Sequence, residues 1–136
     1  MDLASQLDLR HAAGLLVAVV LGALIGLERQ VRKHPAGLHT NALVALGAAA
    51  YVIAGTLMGD PARVAGQVVT GVGFLCAGLI WHARGSIHGI NTAATVWCSC
   101  AVGVLAGFGL IAWAVAIAIL VLVANLILHV VERRFE

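Results

Sequence analysis

Between Gly85 and Val131 the chain runs for 47 residues without a single Asp, Glu, Lys or Arg. As one helix rising about 1.5 Å per residue, that stretch would be roughly twice as long as the hydrocarbon core of a bilayer is thick. It has to turn back on itself, and the place suited to a tight turn is Gly107-Phe108-Gly109. The stretch therefore reads as two spans, over residues 92–106 and 110–131.

Upstream, apolar runs bounded by charges or turn residues give three more spans. They cover residues 11–27, 41–58 (closed by Gly59-Asp60-Pro61) and 64–81. The first begins after Arg10, as the apolar region of a signal peptide follows a basic residue, yet it ends in Gly26-Leu27-Glu28-Arg29 without a small-residue cleavage site, so it is expected to remain a mature helix. With 62% of 136 residues apolar and 10% charged, a soluble fold would need a core larger than this chain can enclose. The expectation is an all-α polytopic membrane protein, one domain of about five transmembrane helices with the lipid bilayer as its first partner.

Charge placement sets the expected orientation. With the N-terminus periplasmic and the C-terminus cytoplasmic, the cytoplasmic segments carry Arg29, Arg32, Lys33, Arg84, Arg133 and Arg134, and only Arg10 and Arg63 stay outside. A four-span arrangement leaves four basic residues on each side and no bias. The eight basic residues sit at the ends of apolar runs and form no stripe that could track phosphates, so nucleic acid is not an expected partner. Cys76, Cys98 and Cys100 lie inside apolar runs without metal-site or disulfide spacing, and read as small packing residues. Small residues recur every fourth position at Ala18, Gly22 and Gly26, at Gly103 and Gly107, and at Ala112 and Ala116, a pattern for close helix packing.

Shifting the sequence against itself by 52 residues aligns Leu24–Val44 with Cys76–Val96, with seven identities in 21 pairs, among them Arg32 with Arg84, Gly37 with Gly89 and Thr40 with Thr92. Spans 1–2 and 3–4 then form a parallel internal repeat, two hairpins related by an axis along the membrane normal. In each copy the Gly permits a turn and the Thr is placed to cap the returning helix. Thr40 and Thr92 would bring two helix N-termini together near Arg29, Arg32 and Arg84, an arrangement suited to an anion, a lipid headgroup or an acidic partner. Ordinary capping and basic anchoring at the interface account for the same residues.

Four strings carry a resemblance: GALIGLERQ from Gly22, PAGLHTNALVALGAA from Pro35, DPARVAGQVVTGVGFLCAGLI from Asp60 and GINTAATVWCSCAVG from Gly89. In this order they resemble the MgtC/SapB family of bacterial inner-membrane proteins, over about Gly14 to Gly109. The resemblance implies a bundle of about five helices in the inner membrane, growth at low magnesium, and in pathogens survival inside macrophages and virulence. It further implies action as a modulator of a membrane complex such as the F-type ATP synthase. Many members continue into a cytoplasmic C-terminal domain; this chain stops at Glu136, so regulation residing there is expected to be absent. His39 and His88 stand where arginines are common in the family, and Asn91 where Thr is usual.

Candidate functional positions are Glu28, Arg29, Arg32, Thr40, Asp60, Gln67, Arg84, Asn91 and Thr92. Glu28 and Arg29 read either as an ion pair or interhelical contact closing the first span or as a polar gate or partner site. Gln67 lies deeper and needs a partner, which Thr70, Thr95 or Asn125 could supply. Asp60 reads as an N-cap followed by Pro61 at the first helical position. His34, His39, His82 and His88 share the cytoplasmic side, but without a helical His pair and carboxylate they are not expected to hold a metal.

Magnesium, a hard cation, favours carboxylate oxygens. The acidic residues Asp2, Asp8, Glu28, Asp60, Glu132 and Glu136 all lie at span ends, so a pore would rely on carbonyls and amides. No nucleophile with an adjacent base and no phosphate-binding loop marks an enzyme, and no cofactor is expected. Three functional classes stay open: a regulator acting through helix contacts, a small Mg2+ or other cation transporter or leak pathway for which a homodimer is allowed, and a lipid or phosphate sensor at the two cytoplasmic loops.

Overall fold

The computed structural model of the protein describes residues 7–135. Five helices follow one another: α1 (Leu9–Val31), α2 (Leu38–Leu57), α3 (Pro61–Gly78), α4 (Ile90–Gly107) and α5 (Ile111–Phe135). Four of them, α1, α2, α4 and α5, are long and apolar enough to cross a membrane. The less apolar α3, 18 residues long, carries Arg63 and Gln67. The chain is an all-α polytopic membrane protein, and its helices fall on the five expected spans.

Helix ends follow local chemistry. Asp8 caps α1, its carboxylate accepting from the Arg10 N–H at 3.0 Å. Pro61 opens α3 at a position where its missing N–H costs nothing, which starts the helix three residues before the expected residue 64. The turn expected at residues 107–109 is present, with Gly109 at φ +77° leading into α5. Between α3 and α4 the expected plain loop is a short antiparallel hairpin, β1 (Trp81–Ala83) and β2 (Ser86–His88), pairing Trp81 with His88. Trp81 thus leaves the third span. Arg84 and Gly85, both at positive φ (52° and 77°), make a two-residue turn whose twist matches that of paired strands.

The packing inverts the size order of a soluble core. Buried positions are mostly small, among them Ala18, Ala45, Ala48, Ala49, Ala106, Ala114 and Ala118, whereas Leu16, Tyr51, Phe74, Trp97, Trp113 and Leu120 face outward. Lipid tails are as apolar as leucine, so the helices gain by close backbone approach, and large side chains are placed against lipid. A Cβ on Gly22 would lie 2.5 Å from the Asn41 carbonyl oxygen and 2.8 Å from Cβ of Ala45. One on Gly103 would collide with the Ala45 carbonyl. Helices α1, α2 and α4 thereby pack closely on one another, with α3 packed on α2 and α4, and α5 on α4 and α1. On α5 the buried positions are Ala114, Ala118 and Val121, not the expected pair Ala112 and Ala116: Ala112 is exposed and Ala116 only partly covered.

Gly103→Val should destabilise the bundle by about 1–3 kcal/mol through overpacking. Gly71→Ala, at a position with open space around it, should shift stability by under about 0.5 kcal/mol. Thermal unfolding of both variants in detergent micelles reads the difference.

Candidate functional site

The antiparallel helices gather the C-terminal ends of α1, α3 and α5 and the N-terminal ends of α2 and α4 at one end of the bundle. This end holds Arg29, Arg32, Lys33, Arg84, Arg133 and Arg134; Arg10 and Arg63 lie at the other. Here a cavity of about 920 Å³ opens between α1, α4 and α5 beside the hairpin. Of the expected positions, Glu28, Arg29, Arg32, Asn91 and Thr92 line it, and Thr40, Asp60, Gln67 and Arg84 do not.

Arg29, on the last turn of α1, is only 6% exposed. Its guanidinium Nη2 donates to Oγ1 of Thr92 at 2.6 Å, joining the end of α1 to the start of α4 across 63 residues of sequence. Glu28 and Arg32, one turn apart on the same face, form an ion pair at 2.8 Å. Glu28 Oε2 and Arg29 Nε are buried without a hydrogen-bond partner. Asn125 on α5 donates to Thr95 on α4 at 3.4 Å, and the His34 ring meets His129 of α5 edge-on, centroids 6.0 Å apart. Burial pushes the His34 imidazole below its ordinary pKa, and the Arg29 charge acts in the same direction. Across the cavity mouth His88 stacks on Trp81 at 5.6 Å and hydrogen-bonds Ser86 at 2.9 Å.

Several expected roles are corrected. Gly37 and Gly89 cap α2 and α4 with no side-chain bond, so Thr40 and Thr92 both fall three residues inside their helices. Thr92 serves as acceptor for Arg29 instead of as a cap, and Thr40 makes no side-chain hydrogen bond among the described residues. Arg84 is exposed at the hairpin turn and joins neither the cavity nor an ion pair among the described residues. Asp60 occupies the N-cap of α3, but its carboxylate takes the Arg63 Nε at 2.6 Å, which holds its pKa below the ordinary value, and caps no backbone N–H.

Gln67 is exposed along a separate, apolar groove of about 480 Å³ between α2 and α3. The partners expected for it are engaged elsewhere. The Thr70 hydroxyl bonds the Gly66 carbonyl, Thr95 bonds the Asn91 carbonyl, and Asn125 bonds Thr95. Asp2 and Glu136 lie outside the described residues. Among the described residues no three His, Cys, Asp or Glu side chains are grouped closely enough to hold a metal ion.

One polar cluster escaped the sequence reading. Asn41 is fully buried, and its amide donates to the carbonyls of Ala36 at 2.7 Å and Gly37 at 2.9 Å, while its Oδ1 accepts from the Ser99 hydroxyl at 2.7 Å. It ties the first connection to α2 and α2 to α4. A polar residue opening a span looks like an interfacial boundary, and its burial follows from helix packing, which a linear pattern does not display.

A model of the MgtC family matches residues 15–134. The chain is 49% identical over 128 residues to Protein MgtC of Salmonella typhimurium strain LT2, covering 93% of this chain and 55% of that protein. It is 51% identical over 132 residues to Protein MgtC of Brucella abortus strain 2308, covering 94% of this chain and 56% of the relative. The chain thus spans little more than half the length of these relatives. No solved structure matches it.

Asn41→Leu should cost about 1–3 kcal/mol, because the Ser99 hydroxyl loses its acceptor and the Ala36 carbonyl its side-chain donor, while the Gly37 carbonyl keeps only the backbone N–H of residue 41. Ser99→Ala should cost under about 1 kcal/mol, since Asn41 keeps both backbone bonds; unfolding in micelles reads both. A second expectation concerns pH. The folded state favours neutral His34, while the unfolded chain takes up a proton near about pH 6.5. The unfolded state then binds more protons, so stability is level above that value and declines as pH falls through it towards the lower folded pKa. Melting temperatures between about pH 7.5 and about pH 5.5 should fall in the parent and fall less in His34→Gln.

Proposed function

Because the chain belongs to the MgtC family, we propose that it is a non-enzymatic regulator of a larger membrane complex, supporting adaptation to low magnesium and, in a pathogen, growth within macrophages and virulence. It resides in the bacterial inner membrane with the basic end cytoplasmic and the N-terminus periplasmic, as the excess of Arg and Lys at that end favours. The F-type ATP synthase is the proposed target.

The observation that carries this reading is the outer surface of α3. A Cβ at Gly66, Gly71 or Gly73 would meet nothing within 4 Å, and Val72 is the helix's one buried residue. Small residues on a membrane helix allow another helix to come close; Gly66 and Gly73 stand in open space on one face, and Gly71 lines the open α2–α3 groove. Such a surface suits lateral contact with a second membrane protein. A cation pathway is the second reading, favoured by the exposed Gln67 amide beside the α2–α3 groove.

The test measures ATP hydrolysis in inverted bacterial membrane vesicles with and without the protein while the proton gradient is followed. Hydrolysis and gradient should fall together, and Gly71→Leu with Gly73→Leu should restore both while leaving the protein folded in the membrane. Hydrolysis rising as the gradient falls would point to the ion leak. No change in either quantity would remove both readings in this form.

A further inference from the structure

The cavity at the basic end is a slot more than a bowl. Along α5 its wall runs through Ile117, Val121, Ala124, Leu128 and Glu132, one side of a helix whose rise between the first and last of these is about 22 Å along its axis. Its polarity changes with depth: Glu28, Arg29, Arg32 and Glu132 stand at the interfacial end, and Cys98, Ile117, Leu120 and Val121 at the other. That gradient is the gradient of a phospholipid, charged at one end and apolar along the rest.

The polar end specifies more than charge. Arg29 is buried with Nη2 committed to Thr92 and Nε unpartnered; Glu28 has one oxygen committed to Arg32 and Oε2 buried and unpartnered. The site calls for an acceptor at one residue and a donor at its neighbour. A simple anion would satisfy Arg29 and be repelled by Glu28, and a bare cation the reverse. A headgroup carrying both a phosphate and an N–H-bearing ammonium satisfies both.

We propose that the α1–α4–α5 slot binds one phospholipid of the phosphatidylethanolamine class, its phosphate on Arg29, its ammonium on Glu28 and an acyl chain along α4 and α5. The proposal stands independently of the regulatory reading above. Phosphatidylcholine has the same phosphate and positive charge but no N–H to donate, and phosphatidylglycerol has hydroxyl donors but no positive charge, so the three lipids separate the requirements.

The full chain is purified in mild detergent, offered equal amounts of the three lipids, and examined by native mass spectrometry, with inorganic phosphate as a competitor. Phosphatidylethanolamine should be retained at least about fivefold over each other lipid, a free-energy preference of about 1 kcal/mol. Glu28→Gln and Arg29→Gln should each erase the preference. Ala124→Trp fills the apolar part of the slot at an outward position away from Arg29, so it should abolish retention while leaving helicity and melting temperature unchanged. Equal retention of the three lipids, retention undiminished in folded Ala124→Trp, or displacement by inorganic phosphate alone would each overturn the proposal.

Discussion

Everything in this bundle depends on how closely α2 is held by its two neighbours. Gly22 of α1 lies against the Asn41 carbonyl and Gly103 of α4 against the Ala45 carbonyl, so one helical turn of α2 is held by residues without side chains from two neighbouring helices. In a bilayer, burying apolar side chains brings little, because lipid already solvates them; contact between backbones and short interhelical hydrogen bonds must supply the specificity. That requirement explains why alanine and glycine occupy the interior and why Phe74, Trp97 and Trp113 point outward.

The same close approach makes the polar end workable. With α1, α2 and α4 drawn together, Asn41 can reach Ser99 and Arg29 can reach Thr92. The two contacts differ in completeness. Asn41 satisfies both faces of its amide and behaves as structural glue, whereas Arg29 and Glu28 each leave one buried polar atom unpaired. An arginine placed at the interfacial end of a helix can be tolerated at modest cost. One that faces inward, with its charge only partly met and beside an unmet carboxylate oxygen, is costly to keep for stability alone.

The number of helices, their order and the turn at Gly107-Phe108-Gly109 could be read directly from the sequence, because charge-free length against bilayer thickness is a one-dimensional constraint. The nearness of Thr92 to Arg29 was legible in outline through the 52-residue repeat, but the chemistry of Thr92 was not. Capping was the local reading; in three dimensions Gly89 takes the cap and frees the hydroxyl for Arg29. The Trp81–His88 hairpin was missed because an apolar, charge-poor run looks like the tail of a span, although Arg84-Gly85 between Ala83 and Ser86 is a turn signal. Asn41, Ser99 and the idle Gln67 could not be sorted from one another by sequence, since a polar residue in a span has the same appearance whether it is bonded or exposed.

The repeat also shows how one plan can serve two ends. Both hairpins place glycine at the cap and threonine three residues into the returning helix. The first closes tightly, with Gly26 against the backbone of Gly37 and Leu38; in the second the matching Gly78 touches nothing and a strand hairpin lengthens the connection. Only the first copy delivers a buried arginine, Arg29, whose counterpart in the second is Trp81; Arg32 pairs with Glu28, whereas its counterpart Arg84 is exposed. Divergence of the copies therefore concentrates charge on the α1–α4–α5 side and leaves α3 loosely packed and rich in small residues on the other.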